Sequence, residues 1–263
     1  MSHPSQLPNA FLIQLRALEA AYLQSDDPRQ QSGFGGGAER WRAEREPILE
    51  AIRADGDLLD VGCANGFLAE SLVKWGLERG IVLRPYGVDR SRRLVELARQ
   101  RRPSMAANFY VGEVWEWEPP RRFRYVYALH DCVPLEYLGA YVRRLVSRVV
   151  APGGRLIVGA YGSRSRKIVP LDVAGCLRSA GLKVTGQSQG GAPSVTSFAW
   201  VDASYQDMPT APGTETDRNA GDVACSHHSG SEMGRAGGRT TWREDRTGVG
   251  WRRHMRVLGG RRR

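Results

Sequence analysis

The run Leu58-Leu59-Asp60-Val61-Gly62-Cys63-Ala64-Asn65-Gly66 constrains this chain more than any other segment. An apolar strand leads into a glycine turn, and a helical pattern from about Phe67 to Glu78 follows. Glycines in such a turn let the backbone approach a ligand closely, and the helix N-terminus beyond it offers unpaired N–H groups. In open α/β sheets, the C-terminal end of the first strand is where nucleotides bind.

The rest of residues 38–202 agrees with that placement. Trp41, Ile48, Leu49 and Ile52 share a helical face, with Pro47 suited to restarting a turn. Strands are predicted at Leu58–Val61, Ile81–Val88, Asn108–Val111, Tyr125–Leu129, Arg155–Ala160, Lys183–Gln187 and Ser194–Val201. Helices are predicted at Ser91–Arg101, Tyr137–Val150 and Leu171–Ala180, with a turn at Pro152-Gly153-Gly154. Alternation of this kind means βαβ units, hence a doubly wound α/β fold with a mostly parallel seven-stranded sheet and helices on both faces. The last two strands have no helix between them and should form an antiparallel hairpin at the sheet edge.

Flanking segments differ in character. In residues 1–37 the apolar positions Phe11, Leu15, Leu18 and Tyr22 recur at helical spacing, with Asn9 available as N-cap. The glycine-rich run Gly33-Phe34-Gly35-Gly36-Gly37 follows, and the segment reads as a lid or packing element. Residues 203–263 are dominated by Gly, Arg, Thr, Ser and Asp without periodicity, and read as disordered.

The net charge of +10 comes from 38 basic residues, only three of which are lysine (Lys74, Lys167, Lys183), a bias closer to genome composition than to a function. Residues 205–263 carry 11 Arg against 7 acids, leaving 27 basic residues and 21 acids before them. An anionic partner is therefore allowed but not demanded. No apolar run approaches the ~18 residues of a membrane span, and no secretory signal is evident at the N-terminus. Cys63, Cys132, Cys176 and Cys225 never pair at C-x-x-C spacing, which favours a reducing cytoplasm and no structural metal. Cys225, His227 and His228 are grouped but lack apolar support, so no metal is assigned to them.

Details of the turn narrow the ligand. A dinucleotide fingerprint starting at Gly62 needs glycine at positions 64 and 67, where the chain has Ala64 and Phe67, and no Gly-Lys-Ser/Thr P-loop is present. Asp60 stands where a pyrophosphate would approach, so the site suits a cationic ligand. The segment Asp60-Val61-Gly62-Cys63-Ala64-Asn65-Gly66 resembles motif I of the class I (Rossmann-like) S-adenosylmethionine-dependent methyltransferases, with Ala64 replacing the usual middle glycine. Alanine there is expected to keep φ below zero or to adjust mildly. Tyr86-Gly87-Val88-Asp89 ends the second strand 29 residues after Asp60, at the family's ribose-binding acid. Phe109 to Val114 resembles the third-strand segment that meets adenine, and Leu129-His130-Asp131 falls at motif IV. Val149 to Val158 and Leu177 to Val184 resemble the passages into strands five and six. The resemblance covers residues 40–202. It implies S-adenosyl-L-methionine as cofactor, bound by Asp60, Gly62, Cys63, Ala64, Asn65, Gly66, Asp89, Arg90, Glu113, Val114 and Leu129.

Methyl transfer from a sulfonium is an in-line displacement, and a general base matters only when the nucleophile must lose a proton. His130 and Asp131 sit where the methyl should emerge and are the catalytic candidates. Arg40, Arg42 and Arg45 beside Trp41 read mostly as a solvated helix face, with a cover over the cofactor, one of them pairing with its methionine carboxylate, as the alternative. Trp115 and Trp117 are candidates for a pocket wall, with packing as their alternative role. No Asn-Pro-Pro-Tyr tetrapeptide, Pro-Cys nucleophile or RNA-recognition signature appears. The preferred acceptor is an O or N atom of a small molecule, in a monomer or homodimer. The alternatives are an RNA methyltransferase working through the arginine-rich surface, including Arg90, Arg92 and Arg93, and a non-catalytic nucleic-acid-binding protein on the same fold.

Overall fold

The computed structural model describes residues 6–204. The disordered reading of 205–263 and the Cys225, His227, His228 group lie outside the described residues. Six α-helices run α1 (Asn9–Tyr22), α2 (Ala38–Arg45), α3 (Phe67–Glu78), α4 (Arg92–Arg101), α5 (Leu138–Arg148) and α6 (Val173–Ser179). The strands are β1 (Gly56–Val61), β2 (Leu83–Asp89), β3 (Phe109–Val111), β4 (Phe123–Leu129), β5 (Val150–Tyr161), β6 (Gly186–Gly190) and β7 (Thr196–Asp202). They form one seven-stranded sheet in the order β3-β2-β1-β4-β5-β7-β6. Pairs among β1 to β5 are parallel, while β7 runs antiparallel to both β5 and β6. The edge hairpin is thus present, with β7 inserted between β5 and β6. From β1 the chain winds outward through β2 to β3, then returns to place β4 on the other side of β1. A crevice opens at such a reversal, outside the carboxyl ends of the strands.

Strand residues alternate between two apolar layers, as a period of two requires. Leu58, Tyr125, Tyr127, Ile157, Phe198 and Trp200 pack with residues of α2 and α3. Leu59, Val61, Val126, Ala128, Leu156, Val158, Ala199 and Val201 pack with residues of α5 and α6. Helix α5 alone buries Leu138, Tyr141, Val142, Leu145 and Val146, mostly aliphatic side chains of the kind worth ~1.5–3 kcal/mol each on full burial.

Several boundaries move for local reasons. Leu12 N–H bonds the Pro8 carbonyl at 3.1 Å, so Pro8 is the N-cap of α1, and Asn9, expected there, is its first helical residue with no capping bond. Ile81, expected in β2, donates instead to the Gly76 carbonyl at 2.9 Å and closes α3 behind the left-handed Gly80. Leu182 closes α6 in the same way by bonding Leu177, which pushes β6 from the expected start at Lys183 to Gly186. The predicted Pro152-Gly153-Gly154 turn is an irregularity within β5, where pairing to β4 jumps from Phe123↔Val150 to Tyr125↔Arg155. Ala203, assigned to the tail, is buried and exchanges backbone hydrogen bonds with Gly153 and Gly154.

Candidate cofactor and active site

The glycine turn is built against the end of β2. Gly62 and Cys63 N–H groups both bond the Val88 carbonyl, at 2.8 and 3.1 Å. Gly62 has φ +81, and a Cβ there would come within 3.0 Å of Cys132 Sγ, so only glycine meets both demands. Ala64 has φ +47, contrary to the expectation of a negative value. Its amide is the reason: Ala64 N–H donates to Asp89 Oδ2 at 2.9 Å, and the left-handed turn aims it there. Asp89 Oδ1 accepts the Ser91 N–H at 2.8 Å, so the carboxylate stitches the turn to the start of α4. Ser91 in turn caps α4, accepting the Leu94 N–H at 3.2 Å.

A cavity of about 120 Å³ opens at this junction, lined by Gly62, Ala64, Asp89, Arg90, Glu113, Val114, Leu129 and Asp131, all expected from the sequence. Leu15, Leu18, Glu19 and Tyr22 of α1, with Ser91, Leu94 and Cys132, complete it. Asp60, Cys63, Asn65, Gly66 and His130 do not line it. Cys63 is buried in a small apolar cluster with Val95, Ala98 and Phe109. Asn65 is fully buried and serves as a clamp: its Nδ2 donates to the Pro28 carbonyl and Gln31 Oε1, and its Oδ1 accepts from Ser32 Oγ and Phe67 N–H. Gly66 is the left-handed residue that opens α3. His130 Nδ1 faces the Gly159 carbonyl at 3.3 Å, a partner that requires a protonated Nδ1.

The electrostatics are those of a cation site. Burial pushes the Asp60 carboxyl up to about 7, with the charge of Asp89 adding to the effect. Burial also raises Asp89, against the two N–H groups it accepts, and Glu19 raises it further. Glu113 is raised by burial and partly held down by Arg90, 3.6 Å away. Among the described residues, no hydrogen-bond donor reaches the buried Asp60 carboxyl. Such a group is costly to ionise alone and keeps its proton toward neutral pH.

The arginine cover is absent from this cleft. Arg40 pairs with Glu44, and Arg42 with Glu46 and Glu78. Arg45 is buried under Tyr161, whose ring centroid lies 3.6 Å from the guanidinium carbon, with Phe34 and Trp41 alongside. Trp41 Nε1 donates to Ser71 Oγ at 2.9 Å inside the core. Trp115 packs against Tyr137 and Tyr141, and Trp117 against Tyr110. The cleft's cover comes instead from α1, whose apolar spacing was legible but whose docking position was not. A larger open depression of about 1040 Å³ beside α5, lined by Trp115, Arg143, Arg148 and Lys183 among others, contains none of the expected cofactor-binding or catalytic residues. Among the described residues no helix is long and apolar enough to cross a membrane, and no group of three metal-ligating side chains occurs.

Comparison with known proteins places this architecture. The family model of the methyltransferase domain matches residues 58–154, which span the glycine turn, the Asp89 strand end and Asp131. A search of curated proteins by sequence returns no significant match. Among solved structures, the Burkholderia thailandensis 1,6-didemethyltoxoflavin-N1-methyltransferase, with its namesake ligand and S-adenosylhomocysteine bound, is 17% identical with a TM-score of 0.51. The alignment covers 78% of this chain and 93% of that one. A chain from a complex containing the Haloferax volcanii Trm112 methyltransferase activator is 14% identical, with a TM-score of 0.51 over 72% of this chain and 97% of that one. Both likenesses are likenesses of fold. The family match places a methyltransferase domain on residues 58–154, the segment that builds the cleft, and the two likenesses show that the fold around it is the one those structures share.

Proposed function

We propose that this methyltransferase acts on an O or N atom of a small molecule. The observation that carries the reading is the charge of the cleft: Glu19, Asp89, Glu113 and Asp131 line it, against the single guanidinium of Arg90. A nucleic acid would bring its phosphates toward four carboxylates, whereas an uncharged or cationic acceptor meets no such barrier. The Burkholderia relative, whose name gives a small heterocyclic acceptor, is consistent with this class.

S-adenosylmethionine supplies a methyl group activated by the sulfonium. Asp89, held by the Ala64 and Ser91 amides, keeps lone pairs for the ribose hydroxyls. Glu113 and the Val114 N–H serve adenine. Gly62 leaves room for the methionyl part, and Asp60, behind the cavity lining, gives up its proton as the ligand's cationic end approaches. Cys63, Asn65 and Gly66 act through the backbone and packing of the turn. Asp131 is exposed at the cavity wall and takes the acceptor's proton or orients its nucleophile, with His130 assisting. Holding the reactants in line is the protein's largest contribution, of about 7–11 kcal/mol for well-oriented pairs.

The test is calorimetric titration with S-adenosylhomocysteine, with Asp89→Ala as control, followed by parallel turnover screens of metabolite and RNA acceptors. Turnover confined to metabolites is expected. Methylation of RNA, with affinity falling steeply as salt rises, would favour the RNA reading in which exposed Arg92 and Arg93 take the phosphates.

A further inference from the structure

The floor of the cleft belongs to the sheet, but its roof belongs to α1. Leu15, Leu18, Glu19 and Tyr22 all face the cavity. That cavity, about 120 Å³, falls below the ~300–1,000 Å³ typical of ligand pockets. With α1 in this position the cleft is closed more tightly than a whole nucleoside-bearing cofactor permits. No residue of α1 is fully buried, and its packing on the core comes from Phe11 and Leu12 in the first turn, just after the buried Leu7. Two of its polar contacts lie at the site. Ser91 Oγ donates to Glu19 Oε1 at 2.6 Å, and Arg90 Nη1 donates to the Leu12 carbonyl at 3.3 Å.

The first contact is placed at the ribose end of the cleft. Ser91 is both the cap of α4 and, through its N–H, a holder of Asp89. Glu19 is therefore one hydrogen bond removed from the carboxylate assigned to the ribose. The bond is charge-assisted and short, but it sets two acids side by side, and their repulsion works against it. Such a pairing suits a fastening that opens.

Given that the cleft binds S-adenosylmethionine, we propose that Glu19 is a positioning residue of the cofactor site: through its hydrogen bond from Ser91 it latches α1 across the cleft of the ligand-free protein, and cofactor uptake waits on its opening. A latched majority state that excludes the cofactor slows association and weakens apparent affinity by the same factor.

The test measures association and dissociation rates of S-adenosylhomocysteine on the immobilised full-length chain, with Glu19→Ala and Glu19→Gln variants. Glutamine still accepts the Ser91 proton through its amide oxygen; alanine cannot. Glu19→Ala is expected to speed association and tighten binding about five-fold, the value of one hydrogen bond, with dissociation unchanged, while Glu19→Gln stays near wild type. Hydrogen exchange at residues 12–22 of the ligand-free protein should be faster in Glu19→Ala than in wild type. Unchanged association in Glu19→Ala, or Glu19→Gln behaving as Glu19→Ala, would overturn the latch. Absence of binding in every protein, wild type included, would overturn the cofactor reading and the latch with it.

Discussion

Asp60 and Asp89 end neighbouring strands, and different surroundings set them different tasks. Asp89 is buried but accepts two backbone N–H groups; Asp60 is buried and accepts none. Asp60 therefore holds its proton up to about 7, against an ordinary value of 3.8. A folded value above the unfolded one means stability present below about pH 4 and lost as pH rises through about 7. Asp60→Asn, neutral at every pH, should then stabilise the free protein at pH 8 but scarcely at pH 4. The gain is on the order of 4 kcal/mol, the free-energy equivalent of moving a carboxyl from 3.8 to about 7. Urea unfolding at the two pH values measures it. Ala64 offers a second test at this scale. Its φ of +47 is costly for a residue with a Cβ, so Ala64→Gly should raise stability by ~0.5–1 kcal/mol in the same assay. Asp131→Ala should lower kcat by about 10²–10⁴ if it accepts the acceptor's proton, while calorimetry finds the cofactor affinity little changed.

Among the elements, the segment before α2 is tied to the glycine turn by one residue. Asn65 satisfies four partners, two of them from Pro28 and Gln31 and one from Ser32. Removing it leaves several buried groups unsatisfied, each worth ~1–3 kcal/mol. Asn65→Ala should therefore cost on the order of 3 kcal/mol in urea unfolding and speed hydrogen exchange over residues 28–33. The elements themselves were largely legible, because helix and strand periods are local. Ends shifted where a helix closed through a left-handed glycine, as at Gly80 and Gly181, since those closing bonds reach back across a turn and leave no period. The insertion of β7 between β5 and β6 was not legible either, because the neighbour a strand takes is chosen by the whole sheet and not by its own residues.

At the scale of the whole molecule, the net charge of +10 and the charge of the cleft point in opposite directions. Positive charge spread over the surface attracts polyanions without specificity, and salt screens it within ~10 Å at 0.1 M. Any affinity of the full chain for RNA should thus fall steeply between 50 and 200 mM salt, while affinity for S-adenosylhomocysteine changes little. Filter binding and calorimetry across that range separate the two.

The sequence by itself determined the α/β alternation, the glycine turn after β1 and the acid ending β2, because each is a short pattern whose geometry is set by neighbouring residues. Asp89, Glu113 and Asp131 were named through the family resemblance that those patterns carry, and all three reach the cavity. Only the tertiary structure decided that Gly62 and Ala64 face the cleft while Cys63 and Asn65 turn into the protein. It also buried Arg45 beneath Tyr161, bonded His130 to β5, and laid α1 over the site. These outcomes rest on contacts between residues tens of positions apart, as in Ser91 meeting Glu19, and no local period carries information across that distance.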